Sequence, residues 1–201
     1  MWPAYWASLQ QLPTSTTFFV STTTDKEDAV KQLVQKDIFN AKVFAFEGKG
    51  RDFGALMSLM QWVQLNSFDL VLKLHTGNTD FYSDLPNERW LMELVRSLVP
   101  NGRLNYVLDY FQKNPTVGLA GPGGHHWPLK KLFYNETTVN YWNKLTSVRK
   151  QSDFPEDPTF IAGGMFWARG KIFKGFVYLI TALASILTVL QLIDHLDPAK
   201  E

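Results

Sequence analysis

The chain predicts an α/β fold, a three-layer arrangement with a mostly parallel, doubly wound sheet, and three observations carry that prediction. Short β-branched and aromatic runs alternate with segments of helical period, which is the pattern of strands linked by crossover helices. Glycine-rich loops follow two of the predicted strands at Gly48-Lys49-Gly50-Arg51-Asp52-Phe53-Gly54 and Gly121-Pro122-Gly123-Gly124. A third strand, Asp69 to His75, ends in Lys73 and His75, which alternation puts on one face. In such a sheet ligands sit at the C-terminal ends of strands.

The elements follow in order. Trp2, Tyr5, Trp6 and Leu9 form the stripe of an amphipathic helix, so the chain opens inside a helix. Thr16 to Thr22 reads as a strand. Thr24 and Glu27 have the spacing of a capping box for a helix burying Ala29, Val30, Leu33 and Val34. Lys42 to Glu47 alternates as a second strand and leads through the glycine loop into a helix carrying Leu56, Leu59, Met60 and Val63. After the strand at 69 to 75 come two helical patterns, one with Trp90, Leu91, Leu94, Val95 and Leu98, the other with Leu104, Val107, Leu108 and Phe111, stopped by Asn114-Pro115. Val117 to Ala120 is a short strand, residues 125 to 158 read as irregular or short-helical, and Phe160 to Ala168 as a last strand.

Composition sets bounds. At 201 residues, with 45% hydrophobic and 14% aromatic content, the chain is expected to fold as a single domain over 1–201 with an ordinary core. A net charge of +1 gives no global attraction to nucleic acid, which is not expected as a partner, and leaves anion recognition to local clusters. No Cys is present, which excludes disulfides and thiolate metal sites. No basic segment precedes an apolar run at the start, so no secretory signal is read, and Asn135-Glu136-Thr137 is taken as a surface loop over a glycosylation acceptor. The uncharged run 175–193 approaches the roughly 20 apolar residues of a membrane span. Its hydroxyl and amide residues, Tyr178, Thr181, Ser185, Thr188 and Gln191, favour a helix packed on the domain.

The loop at 48 to 54 offers backbone N–H groups, two cations and a helix N-terminus, which suits phosphate. Arg51 can take a phosphate in bidentate fashion; Asp52 can orient Arg51, bind a sugar hydroxyl or cap the helix. Lys73 and His75 can offset charge at the next strand end or brace the loop through hydrogen bonds. Gly163 and Gly164 allow close approach by a ligand or another backbone, Trp167 can stack on a sugar or fill the core, and Arg169 can bind an anion or form a surface ion pair. A general base is not singled out among Asp153, Glu156, Asp157, His125 and Asp194. His125 and His126 are adjacent and point apart in an extended segment, a poor metal chelate.

FFVSTTT (18–24), GKGRDFGALM (48–57), DLVLKLHTGN (69–78), RWLMELVRSLV (89–99), NPTVGLAGP (114–122) and FIAGGMFWARG (160–170) occur in the order in which similar stretches occur in the rhamnan synthesis protein F family, which the chain resembles through most of its length. The resemblance implies a glycosyltransferase of GT-A-like, nucleotide-sugar-binding architecture in bacterial cell-surface polysaccharide synthesis, often with rhamnosyl transfer. The alternative is a non-catalytic nucleotide- or glycan-binding module of the same fold. The implied partners are a nucleotide-sugar donor and a glycan or lipid-linked glycan acceptor, and the implied place is the cytoplasm, with peripheral association at the inner face of the cell membrane left open. On this reading Gly50, Arg51, Lys73 and Thr76 bind the donor phosphates, His75 and Asp52 serve catalysis, and Gly163, Gly164, Trp167 and Arg169 meet the acceptor or sugar. GT-A-like enzymes commonly hold a metal on an Asp-x-Asp pair. No such triplet occurs here, so no cofactor is expected, although a divalent metal stays open. Family members often have Asn at the position of Gly48 and Lys at that of Gly77, and the family domain extends further at both ends, so the chain is expected to be cut at both.

Overall fold

The computed structural model describes residues 2–38, 41–47, 51–76, 87–102, 104–128 and 159–175. The chain is mixed α/β and its contacts divide it into two compact units: residues 1–11, 74–112 and 120–166 in one, residues 12–73, 113–119 and 167–201 in the other.

The second unit holds a βαβ crossover. Strand β1 (Phe19–Thr23) pairs in parallel with β2 (Lys42–Phe46), Phe19 opposite Lys42 and Thr23 opposite Phe46. Parallel neighbours need a crossover connection, and α2 (Glu27–Asp37) supplies it, packing on both strands as does α3 (Arg51–Met60). Phe19 sits in an aromatic cluster, with ring centroids 6.3 Å from Phe44 and 5.7 Å from Phe68. The expected capping box does not form. Thr24 opens a 3-10 turn, α2 starts at Glu27 with Lys26 at its N-cap, and the Thr24 hydroxyl donates to the Phe46 carbonyl at 3.4 Å. Of the four residues expected to be buried on α2, Val34 alone is fully buried, while Leu33 is 45% exposed.

A second sheet, ordered β3–β7–β4, joins β3 (Leu70–Lys73), β7 (Phe166–Arg169) and β4 (Leu119–Ala120). The late strand therefore lies between two earlier ones. β3 stops at Lys73, two residues short of the expected end at His75. The His75 carbonyl accepts instead from the Tyr5 hydroxyl at 2.7 Å, so its hydrogen-bonding need is met outside a ladder. Gly170, just after β7, donates its N–H to the Asp69 carbonyl, and a Cβ there would lie 1.9 Å from the Phe68 carbonyl oxygen.

The first unit packs α1 (Trp2–Leu9) against α4 (Asn87–Leu98) and also contains α5 (Leu104–Lys113). Trp90, Leu91, Leu94, Val95 and Leu98 are all at most 3% exposed, so the stripe read on α4 is the core of this unit, joined by Tyr5, Leu104 and Phe111. Here β5 (His126–Pro128) pairs antiparallel with β6 (Thr159–Ile161). The single last strand expected over 160 to 168 is thus two strands, because Gly163 (φ 85°) and Gly164 (φ 59°) turn the chain between β6 and β7.

No helix among the described residues is long and apolar enough to cross a membrane. The apolar run 176–193, like the glycosylation triplet at 135–137, lies outside the described residues.

Candidate functional site

The boundary between the compact units falls between Lys73 and Leu74, so Lys73 and His75 belong to different units, each with its own polar contacts.

In the second unit Lys73 ends β3 with its side chain 6% exposed, and its ammonium donates to Asp52 Oδ2 at 2.6 Å. Asp52 stands in the first turn of α3, where a carboxylate also meets the positive end of the helix dipole. The Lys73 ammonium lies 5.0 Å from the centroid of the Phe53 ring, within cation–π range. Burial pushes the Lys73 amine below its ordinary value, and the hydrogen bond and charge of Asp52 pull it back up. A desolvated cation is thereby kept charged at a strand end by one carboxylate and one aromatic face. Of the two uses expected for Lys73, bracing through a nearby carboxylate is present, and Asp52 is the carboxylate that supplies it. Arg51 starts α3, but its side chain, with Gly48, Lys49 and Gly50, lies outside the described residues.

In the first unit His75 is half-buried and its Nε2–H donates to the Gly163 carbonyl at 2.5 Å. That fixes the Nε2-protonated form in this contact. With Tyr5 donating to the His75 carbonyl, residue 75 ties α1 to the glycine turn through both its side chain and its backbone. Burial raises the Tyr5 phenol well above its ordinary value, so it stays a donor. The close approach at Gly163 is made by the core: a Cβ there would lie 2.5 Å from Leu94 Cδ1 and 3.0 Å from Trp90 Cη2. Thr76 is exposed.

The remaining candidates take structural positions. Trp167 is 6% exposed, in keeping with the core alternative of its two readings. Arg169 has backbone partners. Its Nε donates to the Val117 carbonyl at 2.8 Å and its Nη2 to the Asn114 carbonyl at 3.0 Å, fastening the turn after α5. His125 lies edge-on to Trp90, with centroids 6.2 Å apart, while His126 is exposed in β5. Among the described residues no three His, Asp or Glu side chains gather as a metal site. Asp153, Glu156, Asp157 and Asp194 lie outside the described residues.

Sequence reasoning missed Phe53 as a partner of Lys73 and Tyr5 as a partner of residue 75. Phe53 sits beside Asp52 in the same helical turn, a signal available only once Asp52 and Lys73 are known to pair.

Comparison with known proteins places the chain. It is 30% identical over 152 residues to the uncharacterized protein WxcX of Xanthomonas campestris pv. campestris strain B100, a match covering 75% of this chain and 21% of that protein. The uncharacterized protein WxcX of strain ATCC 33913 matches to the same extent. The chain thus spans about a fifth of the length of these curated relatives. No solved structure matches it. The family described as rhamnan synthesis protein F matches residues 4–180, nearly the whole chain, and the protein belongs to that family.

Proposed function

We propose that the chain is the donor-binding part of a glycosyltransferase of rhamnan-type polysaccharide synthesis, with a GT-A-like plan that takes a nucleoside diphosphate sugar at the ends of β2 and β3. Membership in the rhamnan synthesis protein F family supports the pathway. The observation that carries the chemistry is the buried Lys73–Asp52 pair, 2.6 Å apart, at the end of β3 and the start of α3. A cation kept charged in a low-dielectric setting offsets the charge that grows on a departing diphosphate more strongly than one in water. The parallel β1–α2–β2 crossover, with α3 opening after β2, is the kind of α/β unit that offers a helix N-terminus to phosphate. On this reading Arg51 and the backbone of the 48–50 loop complete the phosphate contacts, and the protein works in the cytoplasm, where nucleotide-sugars are made.

A second reading has its own support. Lys73 is paired with Asp52, and the Arg169 guanidinium donates to the Val117 and Asn114 carbonyls, contacts that tie both candidate cations to the fold. That arrangement suits a non-catalytic module that binds a nucleotide or glycan for a catalytic partner.

Isothermal titration of the full chain with a panel of nucleoside diphosphate sugars, and with the corresponding free sugars, tests the proposal. Binding that requires the diphosphate and survives a chelator is expected; no binding by any member of the panel overturns it. A bound donor with no sugar transfer to rhamnan oligosaccharides selects the second reading.

A further inference from the structure

The largest exposed ring among the described residues stands apart from the Lys73 pair. Trp62 is 74% exposed just past the end of α3, beside an open cleft of about 370 Å³, within the range of about 300 to 1,000 Å³ typical of small-molecule sites. Leaving an indole in water forgoes the burial that stabilises a large apolar side chain. The exposure is not looseness of the backbone. Trp62 N–H donates to the Leu59 carbonyl at 3.0 Å, and the neighbours Met60, Val63 and Leu65 are 5%, 8% and 3% exposed, so the segment is pinned on both sides of the ring.

What surrounds the ring identifies what it fits. Gln61, Gln64 and Asn66 are exposed along the same cleft, with Lys174 at its edge, and Met60 and Val63 complete the lining. Three of the six residues that line the cleft with Trp62 are carboxamides. Each carboxamide offers an acceptor oxygen and two N–H donors, the set that adjacent hydroxyls on a sugar ring require. The negative face of an indole attracts the partly positive axial C–H groups of a pyranose. A flat aromatic platform on a pinned backbone, flanked by Gln and Asn, is complementary to one sugar unit in stacked orientation with its hydroxyls turned to the sides.

We propose that the Trp62 cleft is a glycan subsite that takes a pyranose unit of the polysaccharide acceptor, a role that rests on the reading of the chain as a polysaccharide-synthesis component and is separate from its donor site. The sequence left Trp167 between stacking and core; that residue is 6% exposed, whereas Trp62 is 74% exposed.

The test is saturation-transfer NMR and titration of the full chain with a rhamnose trisaccharide, using maltotriose for comparison, on the parent protein, Trp62→Ala and Trp62→Phe. Because the ring is exposed, both variants are expected to unfold at the parent's temperature, which thermal denaturation checks. The expected result is saturation transfer to ring protons of the trisaccharide, affinity lowered about tenfold or more in Trp62→Ala, and most of it retained in Trp62→Phe. Equal affinity in Trp62→Ala and parent overturns the subsite. So does a parent chain that binds neither oligosaccharide but self-associates or captures protein through Trp62, an outcome that makes the ring a protein contact. Nucleoside diphosphate sugars are titrated alongside. Trisaccharide binding that depends on Trp62 without any donor binding refutes the transferase reading and leaves the subsite standing, whereas donor binding without trisaccharide binding refutes the subsite alone.

Discussion

Lys73 carries a charge that its surroundings both penalise and retain, and that balance makes its two partners unequal in mutation. Removing the carboxylate in Asp52→Asn leaves the ammonium buried without a counter-charge, and is expected to cost about 1.5–3 kcal/mol in denaturant unfolding, below the value for a fully enclosed pair because Asp52 is 28% exposed. Lys73→Met fills the same space without a charge and is expected to cost less than Asp52→Asn. Their order is the prediction. The pH dependence follows from the direction of the shift. The Lys73 amine is depressed in the folded state relative to its ordinary 10.5, so between the two values the unfolded chain holds the extra proton. Stability attributable to Lys73 is therefore fully present above about 10.5 and is lost as pH falls through the folded value. Chemical unfolding of the parent against Lys73→Met from neutral to alkaline pH should show the parent gaining on the variant as pH rises; parallel curves contradict the assignment. Gly163 is the other sensitive position. Ala there meets both a φ of 85° and Leu94 Cδ1 at 2.5 Å, so Gly163→Ala should lose about 1–3 kcal/mol and perturb the His75 contact, visible in the His75 ring NMR signals.

At the scale of elements, what was legible depended on whether the cause was local. Helix α4 was read residue by residue because its period of 3.6 and its burial coincide: Leu91, Leu94 and Val95 are fully buried. Leu94→Ala should accordingly cost about 2–5 kcal/mol in equilibrium unfolding. Helix α2 was located but its buried face was overstated, since Leu33 is 45% exposed and the Thr24 hydroxyl turns to Phe46 in place of a cap. The end of β3 was misjudged because Tyr5, far away in sequence, takes the His75 carbonyl. The break between β6 and β7 was visible as Gly163-Gly164, yet their consecutive positive φ values depend on the side chains of α4 that crowd the turn. Strand β5 was missed because His126–Pro128 is short and lacks alternation; its pairing with β6 makes it a strand. Gly170 gives an element-scale test. A Cβ at 1.9 Å from the Phe68 carbonyl oxygen cannot be relieved by a rotamer, so Gly170→Ala should shift the backbone joining β7 to the segment before β3 and unfold well below the parent temperature.

For the whole molecule, the mixed α/β class and the parallel β1–β2 pair were legible, being consequences of alternating strand and helix patterns. The division of the described strands into three small sheets, and of the chain into two compact units, was not, since sheet order is set by pairings between distant segments, as when β7 enters between β3 and β4. Family membership was legible from ordered short motifs, and the same motifs supply both constellations described here: Asp52 from the first glycine loop, Lys73 and His75 from the third strand, Gly163 from the last. The candidate site was legible as a set of residue types and not as contacts, because the partner of Lys73 and the burial of Trp167 are decided by packing. The measurement closest to the central claim is the affinity of Lys73→Met for a nucleoside diphosphate sugar, taken beside its unfolding curve. If Lys73 serves the donor phosphates, affinity falls about 10- to 100-fold, the equivalent of one charge-assisted contact, while the variant stays folded. A folded Lys73→Met that binds the donor as tightly as the parent contradicts the account and leaves the Lys73–Asp52 pair a structural one.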